Sequence, residues 1–158
     1  MTTHLLSNSP QATKRLGHQL AAQLSGGDVV LLCGTLGAGK SELARGIAEG
    51  LGVKGPVTSP TFTLLNIYHT KMAPLHHFDW YRIEDPEELV LAGLDEEIGG
   101  NSITLIEWHE RAPELIPQNH LVITLTPTDE QGREITLNPV GDFRLIHLHA
   151  DDGLEIIE

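Results

Sequence analysis

Residues 29–52 read VVLLCGTLGAGKSELARGIAEGLG, and parsing this stretch decides the fold. Val29, Val30, Leu31, Leu32 and Cys33 form a short apolar run of strand type. Gly34-Thr35-Leu36-Gly37-Ala38-Gly39-Lys40-Ser41 then fits G-x-x-x-x-G-K-[ST] at every fixed position. Leu43, Ile47 and Leu51 follow at helical spacing, and Gly52 is a plausible stop. Strand, glycine loop and helix, in that order, predict a phosphate-binding loop. The pattern has a physical basis. Glycines at 34, 37 and 39 let successive backbone N–H groups approach one anion, and the helix aims its positive end at the same place. Lys40 supplies a point charge for outer phosphates. The Ser41 hydroxyl suits Mg²⁺, which bridges phosphate oxygens. Gly46 and Gly50 lie inside the helix, each costing up to about 1 kcal/mol relative to alanine. Close approach to the sheet is the expected return.

At 158 residues, a single domain with its own core is expected over residues 1–158. No apolar run approaches a membrane span, so no membrane association is expected. The amino terminus lacks a signal-peptide order. One cysteine, Cys33, reads as a buried inert thiol, and a cytoplasmic setting is expected. The net charge of −12 is uneven. Residues 1–79 hold six Lys/Arg against four Asp/Glu, whereas residues 80–158 hold four against eighteen. The acidic half would repel a nucleic-acid backbone, so no strong direct nucleic-acid binding is expected. Most of it reads as a solvated face; a surface for a basic partner is the sharper alternative.

Before the loop, Ser9-Pro10 reads as a helix start, with Leu16, Leu20 and Leu24 along one face. Gln11 and Thr13 on that helix are candidate base contacts, plain exposed positions being the commoner case. After the loop, Val57–Thr63 is dense in hydroxyls around Pro60. Such a segment resembles a switch, in which Thr61 or Thr63 senses the last phosphate; an ordinary turn is an equal alternative. Leu64–Tyr68 and Leu75–Arg82 read as a strand hairpin, which makes the sheet mixed. His76 and His77 point to opposite faces of a strand and cannot share one ion. No zinc site is predicted from the nine histidines.

Ile103–Glu107 is an apolar strand ending in a carboxylate, the form of a Walker B element. Glu107 there binds Mg²⁺ directly or through water, or positions the attacking water. Asp79 ends the preceding strand and is a second candidate for either task. The alternative is an acid capping a helix at 109–116. Leu121–Thr126, Glu134–Leu137 and Phe143–Leu148 read as a three-stranded antiparallel meander, and residues 150–158 as a fraying acidic tail. Arg133 is a candidate nucleotide contact, an exposed hairpin arginine being commoner. There is no N-K-x-D motif for guanine. The six arginines do not cluster into a kinase-type lid. A compact ATPase serving another protein is what remains.

Five motifs carry a resemblance: GTLGAGKSELARG at 34–46, SPTFTLLNIY at 59–68, HFDWYR at 77–82, DPEEL at 85–89 and IEWHERAPELIP at 106–117. Together they resemble the bacterial ATPase of tRNA threonylcarbamoyladenosine biosynthesis, the TsaE (YjeE) family. Thr35, Ser41 and Trp80 stand where an acid, Thr and Leu are usual. The resemblance implies a P-loop NTPase fold of α/β type, three-layered, with a mixed parallel and antiparallel sheet. It implies weak ATP hydrolysis with Mg²⁺, in company with a TsaD-like carbamoyltransferase subunit and its TsaB-like paralogue. Carried onto this sequence, Gly37, Ala38, Gly39, Lys40 and Ser41 hold phosphates, Glu42 belongs to the cofactor-binding set, and Ser41 and Glu107 hold the metal. Lys40, Asp79 and Glu107 act in catalysis, and Gln11, Thr13, Thr61 and Arg133 contact ATP. A small-metabolite kinase and a non-catalytic nucleotide switch are the competing readings.

Overall fold

The computed structural model describes residues 1–157. Its framework is one eight-stranded sheet. Along the chain come β1 (Thr3–Ser7), α1 (Pro10–Ala21), β2 (Val29–Cys33), α2 (Lys40–Gly50), β3 (Leu65–Tyr68) and β4 (Leu75–Asp79). Then follow α3 (Glu87–Leu91), β5 (Ile103–Glu107), β6 (His120–Pro127), β7 (Arg133–Val140) and β8 (Leu154–Ile156). Across the sheet the order is β3-β4-β5-β2-β6-β7-β1-β8. The central β4, β5, β2 and β6 are parallel, and both flanks are antiparallel. This is the mixed α/β sheet the sequence implied.

Alternation along β2 builds both faces of the core. Val30 and Leu32 pack with Leu16 and Leu20 of α1 and Leu43 and Ile47 of α2. Val29 and Leu31 face the other way, onto Phe78, Trp80, Ile106 and Leu89 of α3. Buried on both sides, β2 must be apolar throughout, which is why it reads as an unbroken run. The Ser9 hydroxyl caps α1 by accepting from Ala12 N at 3.1 Å, and Pro10 opens the helix, as its sequence signature predicts. No described helix is long and apolar enough to cross a membrane.

Four expectations are corrected. Gly46 and Gly50 meet α1, not the sheet: a Cβ at Gly46 would overlap the Lys14 carbonyl oxygen, and one at Gly50 would lie 2.5 Å from Ala21 Cβ. Residues 143–148 are not a strand. The place beside β7 is taken by β1, in register Leu5 to Ile135. The segment instead runs along α1, where Gln23 donates to His147 O (2.7 Å) and accepts from His147 N (2.8 Å), and Gln19 pairs likewise with His149. Gln19 near the end of α1 and Gln23 in the turn that follows it thus satisfy backbone groups that a strand partner would otherwise satisfy. The tail is held rather than frayed over residues 154–156, as β8 pairs with β1; position 158 lies outside the described residues. Finally, 109–116 is two 3₁₀ turns, His109–Arg111 and Pro113–Leu115, because Ala112, restricted by the proline that follows it, leaves the helical region (φ −149°, ψ 62°) and breaks the segment between them.

Candidate nucleotide site

Parallel pairing brings the carboxyl ends of β2, β4 and β5 to one edge, in the register Leu32–Glu107 and Asp79–Glu107. The glycine loop leaves β2 at the same edge and becomes α2 at Lys40. Gly39, at φ 105°, occupies the N-cap and offers no capping side chain. The N–H groups of Lys40, Ser41 and Glu42 have no carbonyl four residues back within the helix, so they are donors aimed outward. The first turn of α2 is thus an anion cradle by construction.

A cleft of about 290 Å³ opens over this edge, and it gathers most of the expected residues. Gly37, Gly39, Lys40, Ser41, Glu42, Thr61, Asp79, Glu107 and Arg133 all line it. Lys40 Nζ donates to Gly34 O at 2.8 Å and stands 3.8 Å from Glu107 Oε1. Asp79 accepts from Thr61 Oγ1 at 3.0 Å and from Tyr81 N at 2.9 Å, so the hydroxyl-rich segment is tied to the second carboxylate. Arg133 donates from Nε to Ala38 O (2.7 Å) and from Nη2 to Gly37 O (3.1 Å), bracing the loop from β7. Lys40, Asp79 and Glu107 are all buried, each under a tenth exposed. Buried ionic groups are costly unless paired, which makes a charged cluster in this position informative.

Three expected residues stand apart. Ala38 is wholly buried and contributes only backbone to the loop. Thr13 is buried, with its hydroxyl 2.7 Å from Ser7 Oγ, and does not present that group to a ligand. Gln11 is exposed on α1 and lines no part of the cleft. A depression of about 460 Å³ beside Ser7, Asn8, Asp129 and Gly153 is larger, but no cation lines it. Cys33 is half-buried rather than buried; burial still pushes its thiol up to about 11, with Glu110 adding and Lys40 opposing, which disfavours the reactive thiolate.

Two residues, one lining the cleft and one behind it, were not among the expected site residues. Trp108 lies under Lys40, its ring centroid 4.6 Å from Nζ, and packs on Tyr81 at 4.8 Å between centroids. Its place directly after Glu107, at the end of β5, was the available signal. His77 reaches Glu107, Nε2 to Oε2, at 2.7 Å. Its signal was the period of two that puts it on the same strand face as Asp79.

The arrangement fits a nucleotide with Mg²⁺. Mg²⁺ takes few protein ligands and completes its shell with phosphate and water, so one hydroxyl and one carboxylate in the same cleft suffice. Ser41 and Glu107 both line this cleft, and the N–H groups at the start of α2 would serve the phosphates.

A family model described as "Threonylcarbamoyl adenosine biosynthesis protein TsaE" matches residues 7–135. The chain is 42% identical to the tRNA threonylcarbamoyladenosine biosynthesis protein TsaE of Bacillus subtilis, over 85% of this chain and 84% of that one. It is 39% identical to the protein of the same name from Treponema pallidum, over 84% and 97% respectively. The crystal structure of Bacillus subtilis YdiB superposes with a TM-score of 0.77 at 36% identity, covering 90% of this chain and 88% of that one. With the match extending from the end of β1 into β7 and taking in the whole cleft, the chain belongs to the TsaE family.

Proposed function

We propose that this chain binds ATP with Mg²⁺ and hydrolyses it in the service of tRNA threonylcarbamoyladenosine formation, in the cytoplasm, together with a TsaD-like carbamoyltransferase subunit and its TsaB-like paralogue. The observation that carries the ATPase reading is the meeting of Lys40, Asp79 and Glu107 in the cleft at the start of α2. The pathway comes from the named function of the relatives.

The residues act as follows. The N–H groups at the start of α2 bind phosphate oxygens, and Lys40 exchanges Gly34 O for an outer phosphate. Ser41 and Glu107 would hold Mg²⁺, which would neutralise charge on the phosphate oxygens. Asp79 keeps a free lone pair on each oxygen beyond its bonds to Thr61 and Tyr81, enough to accept from and orient a water. Thr61, being tied to Asp79, couples that water's position to the 58–63 segment. Phe62 in this segment and Leu36 in the glycine loop are exposed, so the cleft is rimmed by apolar groups suited to a protein partner. Exposed Glu84, Asp85, Glu87, Glu88 and Glu96 on the acidic half disfavour direct tRNA contact there.

The test is ATP hydrolysis by the purified chain, with and without both partner subunits, repeated with Lys40→Ala. Stimulation by the subunits, lost in the variant, is the expected result. Hydrolysis indifferent to the subunits would remove the partner-dependent reading, and ADP release that depends on a small acceptor would replace it with a kinase.

A further inference from the structure

We propose that His77 is a positioning residue for Glu107, fixing one carboxylate oxygen so that the other faces the lysine side of the cleft, and so setting the Mg²⁺ requirement for nucleotide binding. The proposal rests on the reading of Glu107 as a metal ligand given above.

Strand geometry puts the pair together. β4 and β5 run parallel with His77 opposite Leu105 and Asp79 opposite Glu107, so His77 and Asp79 share the sheet face turned to α2. His76 takes the other face, where its Nδ1 lies 2.8 Å from Glu97 O. His77 is 2% and Glu107 6% exposed. Such a buried carboxylate needs its lone pairs met. Among the described residues, His77 is the sole hydrogen-bond donor to the Glu107 side chain, at 2.7 Å; Lys40, at 3.8 Å, is beyond hydrogen-bond range. A carboxylate only accepts, so His77 carries its proton on Nε2 in this contact. Oε2 is thereby held, and Oε1 is the oxygen left toward Lys40. His77 also lines a small recess together with Ser41 of α2 and Ser59 of the hydroxyl-rich segment. Histidine and carboxylate groups that orient a metal ligand from behind commonly change metal affinity about 10–100-fold when removed.

The experiment titrates Mg²⁺ into the full chain with a fluorescent ATP analogue, for the parent, His77→Leu, His77→Gln and Glu107→Gln, alongside nucleotide affinity in excess EDTA. His77→Leu is expected to need about 10–100-fold more Mg²⁺ for half-maximal binding, with its EDTA affinity unchanged. His77→Gln, whose amide N–H replaces the donor, should stay near the parent. A purely structural role would lower the affinity in EDTA and leave the Mg²⁺ requirement unmoved. An unchanged Mg²⁺ requirement in His77→Leu overturns the proposal when Glu107→Gln does show the deficit. An unchanged requirement in Glu107→Gln removes the metal-ligand reading itself. Should His77→Leu not fold, ¹H–¹⁵N long-range NMR of the parent decides: an Nδ1–H tautomer at His77 overturns the proposal, and an Nε2–H tautomer whose signal shifts on adding Mg²⁺ with nucleotide supports it.

Discussion

Replacing Gly46 by alanine sets helix propensity against tertiary packing, and the two predict opposite signs. Propensity alone stabilises the variant by about 1 kcal/mol, since glycine in a helix interior is that much worse than alanine. Packing opposes it. A Cβ at Gly46 would overlap the Lys14 carbonyl oxygen and stand 2.9 and 3.0 Å from the carbonyl carbon and Cα of Lys14. All three are backbone atoms, so no rotamer change can relieve the overlap. From α1 the approach is as tight, with a Cβ at Gly17 falling 2.6 Å from Ile47 N. Carbon atoms in contact prefer about 3.5–4.0 Å, so the helices must part by roughly 1 Å. Overpacking typically costs 1–3 kcal/mol and occasionally more; with backbone atoms on both sides the cost here is about 2–4 kcal/mol, which leaves a net loss of about 1–3 kcal/mol after the propensity gain. For a chain of this size that lowers Tm by roughly 3–10 °C. Circular dichroism melts and urea titrations of parent and Gly46→Ala measure it. Gly50→Ala should lose stability as well, because its nearest neighbour, Ala21 Cβ at 2.5 Å, is fixed to the backbone of α1 and cannot swing aside. A Gly46→Ala variant as stable as the parent would refute the close crossing of α1 and α2.

Asp79→Asn should keep nucleotide binding and lose most turnover, whereas Thr61→Val should reduce turnover less, because it removes one of the two hydrogen bonds holding Asp79; single-turnover ATP hydrolysis and equilibrium binding separate the two effects. Cys33 should resist alkylation: with its thiol at about 11, the thiolate at pH 8 is about a hundredfold scarcer than for a thiol at its ordinary 9.0, so iodoacetamide labelling should be slow in the native state and rapid in urea. Hydrogen bonds from Lys14 and then His18 hold the Glu49 carboxyl below its ordinary value of 4.5. A depressed carboxyl contributes stability above its unfolded value and loses it as pH falls through the folded one. Glu49→Gln should therefore cost stability at pH 7, and the difference should vanish below the folded value, as melts across pH 2–7 would record.

Trp108 and His77 mark the border between what was legible in the chain and what was not. The phosphate loop, the acid at the end of β5 and the cap of α1 were legible because each depends on neighbours within a few residues: glycine torsions, a period of two, a hydroxyl three residues from an orphan N–H. With them came the fold class, since an unbroken apolar run before the loop implies a strand covered on both faces. The contact of His77 with Glu107 joins residues thirty apart, and only the parallel register of β4 on β5 brings them together. The same holds at the sheet's antiparallel end. Residues 143–148 have the composition of a strand, yet β1, from the other end of the chain, pairs with β7, and Gln19 and Gln23 satisfy His149 and His147 instead. Thr13 looked available on a helix surface until β1 placed Ser7 against it. Backbone hydrogen bonds carry no residue code, so which strand occupies an edge depends on what the rest of the fold leaves open. The sequence alone determined that a phosphate loop and a carboxylate exist here; the sheet order determined which side chains stand behind them.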